Sequence, residues 1–176
     1  MKTKYEINTS LNKVYNDYCN YIIELSEKDF IKEPENKWSA GQHTIHLIKS
    51  ISPVRLAFQL PGFILRILFG KPNREGRSNS DLIKKYILKL KEGGKASGRF
   101  NIKEKVLFKD QDTILRKLLH EKRKLAELID KKTESDLDRF LLPHPLLGKL
   151  TLREMLFFTI YHAEHHLKIL LNEPYK

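Results

Sequence analysis

Residues 152–171 constrain the chain more than any other stretch. Leu152, Met155, Thr159, His162, His166 and Ile169 recur at alternating steps of three and four, the spacing that draws one narrow stripe along an α-helix. Two histidines therefore occupy seam positions in a helix that must turn this stripe toward other helices. One turn separates them, so both imidazoles can address the same point. A buried imidazole needs a hydrogen-bond partner or a metal ion, because an unsatisfied polar group inside a protein is costly. The seam thus has two readings: histidines satisfied by hydroxyls, carbonyls or water, or two ligands of a metal site.

The rest of the chain reads as helical. Thr9 or Ser10 is placed to cap a first helix over residues 8–28, with Leu11, Val14, Tyr15, Tyr18, Ile22 and Leu25 as its apolar stripe. Residues 29–37 form a polar loop around Pro34. Ser39 with Gln42 three residues on makes a capping box for a second helix, and Trp38 ahead of it can staple onto His43. Pro53 is expected to bend or interrupt that helix. Leu60-Pro61-Gly62 breaks it, leaving a short extra helical piece over residues 63–69. Ser80 caps an amphipathic helix over 81–91, stopped by Gly93 and Gly94. Residues 95–109 have no period and read as an extended strap. A long helix covers 110–131, with Ile114, Leu115, Leu118, Leu119, Leu125, Leu128 and Ile129 inward. A loop over 133–150 carries Pro143, Pro145 and Gly148, and Thr151 with Glu154 caps the last helix. With no strand-like alternation and no internal repeat, the fold class is all-α. It is a four-helix bundle with long connections and an extra short helix between the second and third main helices, one domain over residues 1–176.

Charge and cysteine usage narrow the setting. The net charge is +11, and residues 66–99 hold ten Lys or Arg against three acidic residues. Such a field attracts anions, whether nucleic acid, an acidic membrane surface or a small anionic substrate, unless it is simply a solvated basic face. Phe69, Tyr86 and Phe100 are the few aromatics near it, so base-stacking is poorly served and a nucleic-acid partner is not expected. The single cysteine, Cys19, rules out an internal disulfide framework and fits a packed thiol in a reducing compartment. The N-terminal residues have no apolar signal region, and the most apolar stretch, residues 51–70, carries Arg55, Gln59, Pro61 and Arg66. A cytoplasmic protein without a membrane span is the expectation.

A third metal ligand must come from another helix. His165 is rotated about a hundred degrees from the seam onto a flank. His144 lies between two prolines in a loop, and His120 sits among charges on an exposed face. His43 and His46 lie in the first two turns of the second helix, and spacing alone does not choose between them.

Two stretches together carry a family resemblance. Trp38, Ser39, His46 and Leu47 resemble the Trp-Ser-x-x-Glu-x-x-x-His-Leu signature of the DinB/YfiT-like superfamily. Pro145, Gly148, Leu150 and Thr151, followed by a helix ending in His162 and His166, resemble its C-terminal pattern. The match departs at Gln42, where members often have Glu. The resemblance implies a four-helix bundle with a divalent metal held by His46, His162 and His166. Zinc or nickel suits an all-imidazole site. It also implies mixed functions within the family: transferases or isomerases that use a low-molecular-weight thiol, and metal-dependent hydrolases. No catalytic residue is carried over. The leading expectation is a metal-dependent thiol transferase or hydrolase acting on a small molecule. Two alternatives stand beside it: a non-catalytic metal-binding helical protein, possible as a homodimer, and an anion- or nucleic-acid-binding helical module.

Overall fold

The computed structural model describes residues 2–34 and 37–172. Four long helices form the bundle: α1 (Lys4–Ile23), α3 (Ala40–Gln59), α6 (Gln111–Asp130) and α8 (Leu152–Leu170). Helix α3 packs on α6 and α8, and α1 bridges α6 and α8. Shorter elements fill the connections: α2 (Glu27–Ile31), α4 (Gly62–Phe69), α5 (Asn79–Lys91) and α7 (Glu134–Arg139). A small antiparallel hairpin pairs β1 (Leu141–His144) with β2 (Gly148–Thr151). The core is built from the inward stripes, with Leu11, Tyr15, Tyr18, Ile22, Leu47, Ile51, Phe58, Leu118, Leu125 and Leu156 buried. The all-α expectation holds, the hairpin being its only strand pair among the described residues.

Local chemistry explains where the helices start and stop. The Ser39–Gln42 and Thr151–Glu154 capping boxes form as read from the sequence. Helix α1 starts earlier than expected, because Thr3 rather than Thr9 or Ser10 is its cap: Thr3 N–H donates to the Glu6 carboxylate at 2.7 Å. Ser10 is interior, its hydroxyl donating back to the Glu6 carbonyl at 2.8 Å. The helix also ends sooner. Ser26 caps α2, which turns Phe30 into the core against the ring of Phe108, 5.8 Å away. Helix α5 begins two residues before the expected start, on Ser78, which accepts from Asp81 N–H at 3.1 Å.

Pro53 does not interrupt α3. The chain breaks instead at Leu60-Pro61-Gly62, where α4 leaves at a 117° bend. Gly62 makes room there: a Cβ would lie 2.2 Å from the Phe140 ring, so a side chain at this position must displace that ring or α4. The expected loop over 133–150 is instead α7 plus the hairpin. Thr133 and Asp136 form another capping box, and Gly148 takes a φ of +75° at the start of β2. Among the described residues no single helix is long and apolar enough to cross a membrane.

Candidate metal centre

Helix α8 presents His162 and His166 one turn apart, both buried, as the seam periodicity requires. Helix α3 brings His46 across from its second turn. The Nε2 atoms of His46 and His162 stand 3.1 Å apart, and those of His162 and His166 stand 3.0 Å apart. One nitrogen from each of the three lies within 4.8 Å of the others.

The cluster has fewer hydrogens than its converging nitrogens need. His46 Nδ1 donates to the Phe100 carbonyl at 2.7 Å, so a neutral His46 turns a lone pair, not a proton, toward His162. A proton on His162 Nε2 can satisfy His46 or His166 fully, but not both; without that proton, His46 and His162 oppose two lone pairs. The three imidazoles thus converge with too few hydrogens, a deficit that a cation at their centre removes. Nitrogens about 3.3 Å apart are what a tetrahedral ion with bonds of 2.0–2.1 Å requires, close to the two spacings about His162, with all three nitrogens within 4.8 Å of one another. The residues present therefore fit a divalent metal.

Burial keeps the donors neutral. It holds His162 and His166 well below the ordinary histidine range, helped by the neighbouring imidazoles. His46 is also lowered by burial, partly offset by its bond to Phe100. Neutral imidazole is the form that binds metal.

The outer partners were not legible in the sequence. One is the backbone carbonyl of Phe100, in a single helical turn of the strap (Gly98–Phe100). Another is His43, whose Nδ1 lies 2.8 Å from His166 Nδ1. His43, the rival third ligand, thus stands behind His166 and outside the cluster of three. Trp38 covers the group, its ring centroid 4.8 Å from that of His46 and 5.6 Å from that of His43, so the expected staple forms. Gln42 carries no charge to the site. Its Oε1 accepts from Ser39 N–H and its Nε2 donates to the Glu104 carbonyl, so the amide ties the cap of α3 to the strap. Gly41 permits the same crossing, because a Cβ there would meet Val106 at 2.8 Å. Replacing His43 with Ala should weaken metal binding by about 10- to 100-fold while leaving one site per chain. Competition with a chromophoric chelator measures this, and unchanged affinity would remove His43 from the site.

The other sequence candidates are also placed. His120 is exposed, as expected. His165 is on the flank of α8 but buried, its ring 5.9 Å from that of Tyr86 on α5. His144 is not in an open loop. It ends β1, and its Nδ1 accepts from Leu146 and Leu147 N–H, each at 3.1 Å, which holds the hairpin turn. Thr159 is buried and donates to the Met155 carbonyl at 2.8 Å. Cys19 lies in the core on α1, away from the histidines' cavity, and burial pushes its thiol up to about 11, which fits a structural role.

Burial pushes His144 and His165 down to about 4 and His43 to about 3. These groups stay neutral in the folded chain while the unfolded chain protonates near 6.5, so stability is fully present above that pH and is lost as pH falls toward 4. Each such histidine contributes a slope of about 1.4 kcal/mol per pH unit inside the window. Urea denaturation of chelated protein at pH 7, 6 and 5 should show a steady fall in stability. A flat profile over that range would contradict the burial assigned to these rings.

The triad opens into a cavity of about 890 Å³, walled chiefly by apolar side chains that include Val54, Phe69, Leu90, Met155 and Phe158. A helical bundle with three convergent imidazoles, two from one turn of its last helix and one from its second long helix, defines a class of potential metal-binding proteins. The chain belongs to the DinB superfamily, whose family model matches residues 11–170. No curated protein matches the chain. Family and cluster together fit a metal-binding helical protein.

Proposed function

We propose that the protein is a metal-dependent enzyme in which His46, His162 and His166 hold a divalent cation, zinc or nickel. It acts on a small molecule as a thiol-dependent transferase or a hydrolase, in the cytoplasm. The observation that carries this reading is the hydrogen deficit among three buried, neutral imidazoles. The size of the cavity beside them favours a catalytic over a purely structural site, since a closed structural site needs no room for a ligand.

The bound cation would supply Lewis acidity, lowering the pKa of a water or a thiol. The chain's own residues do the rest. Phe100 fixes the ring of His46 through its carbonyl, and His43 fixes His166. Trp38 shields the cluster from bulk water, and Val54 and Phe158 give an apolar surface on which a substrate can be oriented.

Chelated protein, reconstituted with zinc or nickel, tests the reading. Turnover of p-nitrophenyl esters assays the hydrolase. Conjugation of a low-molecular-weight thiol to chlorodinitrobenzene assays the transferase. One activity should return with metal and be lost in His46→Ala. Equal rates in chelated protein, reconstituted protein and His46→Ala would overturn the enzyme reading.

A further inference from the structure

We infer that the cavity binds an organic anion with an extended apolar body, its carboxylate- or phosphate-type head held at the mouth by Lys37, Lys95 and Arg99. The inference rests on the cavity being the substrate site, as proposed above, but not on the metal. Those three side chains line the cavity and are exposed, whereas among the described residues no Asp or Glu lines it. The buried imidazoles around it are held neutral. Among the described residues, permanent charge on the lining is therefore all positive and exposed, while the buried walls are apolar side chains and neutral imidazoles.

The basic stretch of the sequence thus separates into parts with different work. Arg74 and Arg77 are engaged by Glu154, and Lys89 by Glu92. Among the described residues Lys95 and Arg99 have no carboxylate partner within ion-pair range. The guanidinium of Arg99 lies over the Phe100 ring, 4.9 Å from its centroid, which restrains it at the mouth. The next residue's carbonyl orients His46, so an anion on Arg99 is seated on the same short turn that positions the cluster. A neutral apolar ligand would use the walls and leave the cations idle. A polar anion without an apolar body would forgo the walls. The amphiphilic anion uses both.

Calorimetric titration of 1-naphthylacetate against the near-isosteric, neutral 1-naphthylacetamide separates the two contributions. Exposed ion pairs are individually weak, so three together should favour the acid by about tenfold at low salt. The triple variant Lys37→Ala, Lys95→Ala, Arg99→Ala should bring the acid down to the affinity of the amide without changing the amide. All three positions are exposed, so the fold should tolerate the changes. The preference should persist in chelated protein. Equal affinities in the unsubstituted protein, failure of both compounds to bind, or a preference that survives the triple variant would each overturn the inference. A preference that vanishes on chelation would assign the anion to the cation site instead, and would also overturn it. Metal content, measured on the same samples, reports separately on the three-histidine reading.

Discussion

Replacing His162 with Ala is expected to abolish metal retention under conditions where the unsubstituted chain holds one ion. His162 is central to the cluster, its Nε2 within 3.1 Å of His46 Nε2 and 3.0 Å of His166 Nε2. Structural zinc sites bind with about 10–16 kcal/mol spread over their ligands, roughly 3–4 kcal/mol for each. Loss of one imidazole should therefore weaken binding by about 10²- to 10³-fold. The fold should survive, because neutral His46 and His166 then lose an awkward neighbour rather than an essential partner. Competition titration measures the affinity, and far-ultraviolet dichroism checks the helices. His120→Ala and His144→Ala should bind metal as the parent does.

Glu154→Gln should produce the largest loss of stability among single conservative substitutions of the carboxylates. This carboxylate is buried, yet it accepts from Thr151 N–H at 2.8 Å, Arg77 N–H at 2.9 Å and both terminal nitrogens of Arg74 at 2.8 Å. Burial alone would raise its pKa, but the bonds from Arg74, Arg77 and Thr151 outweigh burial and hold it below the usual range. An amide keeps the cap but abandons two guanidinium groups. The guanidinium groups left behind are partly exposed, so the loss is that of charge-assisted hydrogen bonds, about 1.5–3 kcal/mol, which lowers Tm by roughly 3–12 °C for a chain of this size. Glu127→Gln, on an exposed pair with Lys124, should leave Tm essentially unchanged. Comparable Tm values for the two variants would show that the Glu154 cluster is not holding residues 74–77 to the first turn of α8.

The contrast between Glu154 and the seam histidines shows what the sequence makes legible. Thr151 and Glu154 are three residues apart, so their capping box is visible in the string. The partnership of Glu154 with Arg74 spans 80 positions, and nothing local announces it. The seam of α8 is legible because period and chemistry coincide in His162 and His166. The outer partner of His46 is a backbone carbonyl, which every residue possesses, so no residue type marks Phe100. The start of helix α1 is ambiguous in sequence because Thr3, Thr9 and Ser10 are all competent caps, and only the Thr3–Glu6 pair closes the box. The hairpin leaves no sequence signal because strands of four residues are too short to display alternation, and Pro143 and Pro145 read as loop. Pro53 warns of a break that the packing of α3 overrides, since the helix on either side of it is buried at Ile51, Val54 and Phe58.

Metal stoichiometry tests the central claim most directly. Protein dialysed against zinc or nickel, then freed of unbound ion, should carry one ion per chain, and the His46→Ala, His162→Ala double variant should carry none. A stoichiometry near zero in the parent chain after reconstitution with both metals, or one ion retained by the double variant, would contradict the three-histidine site.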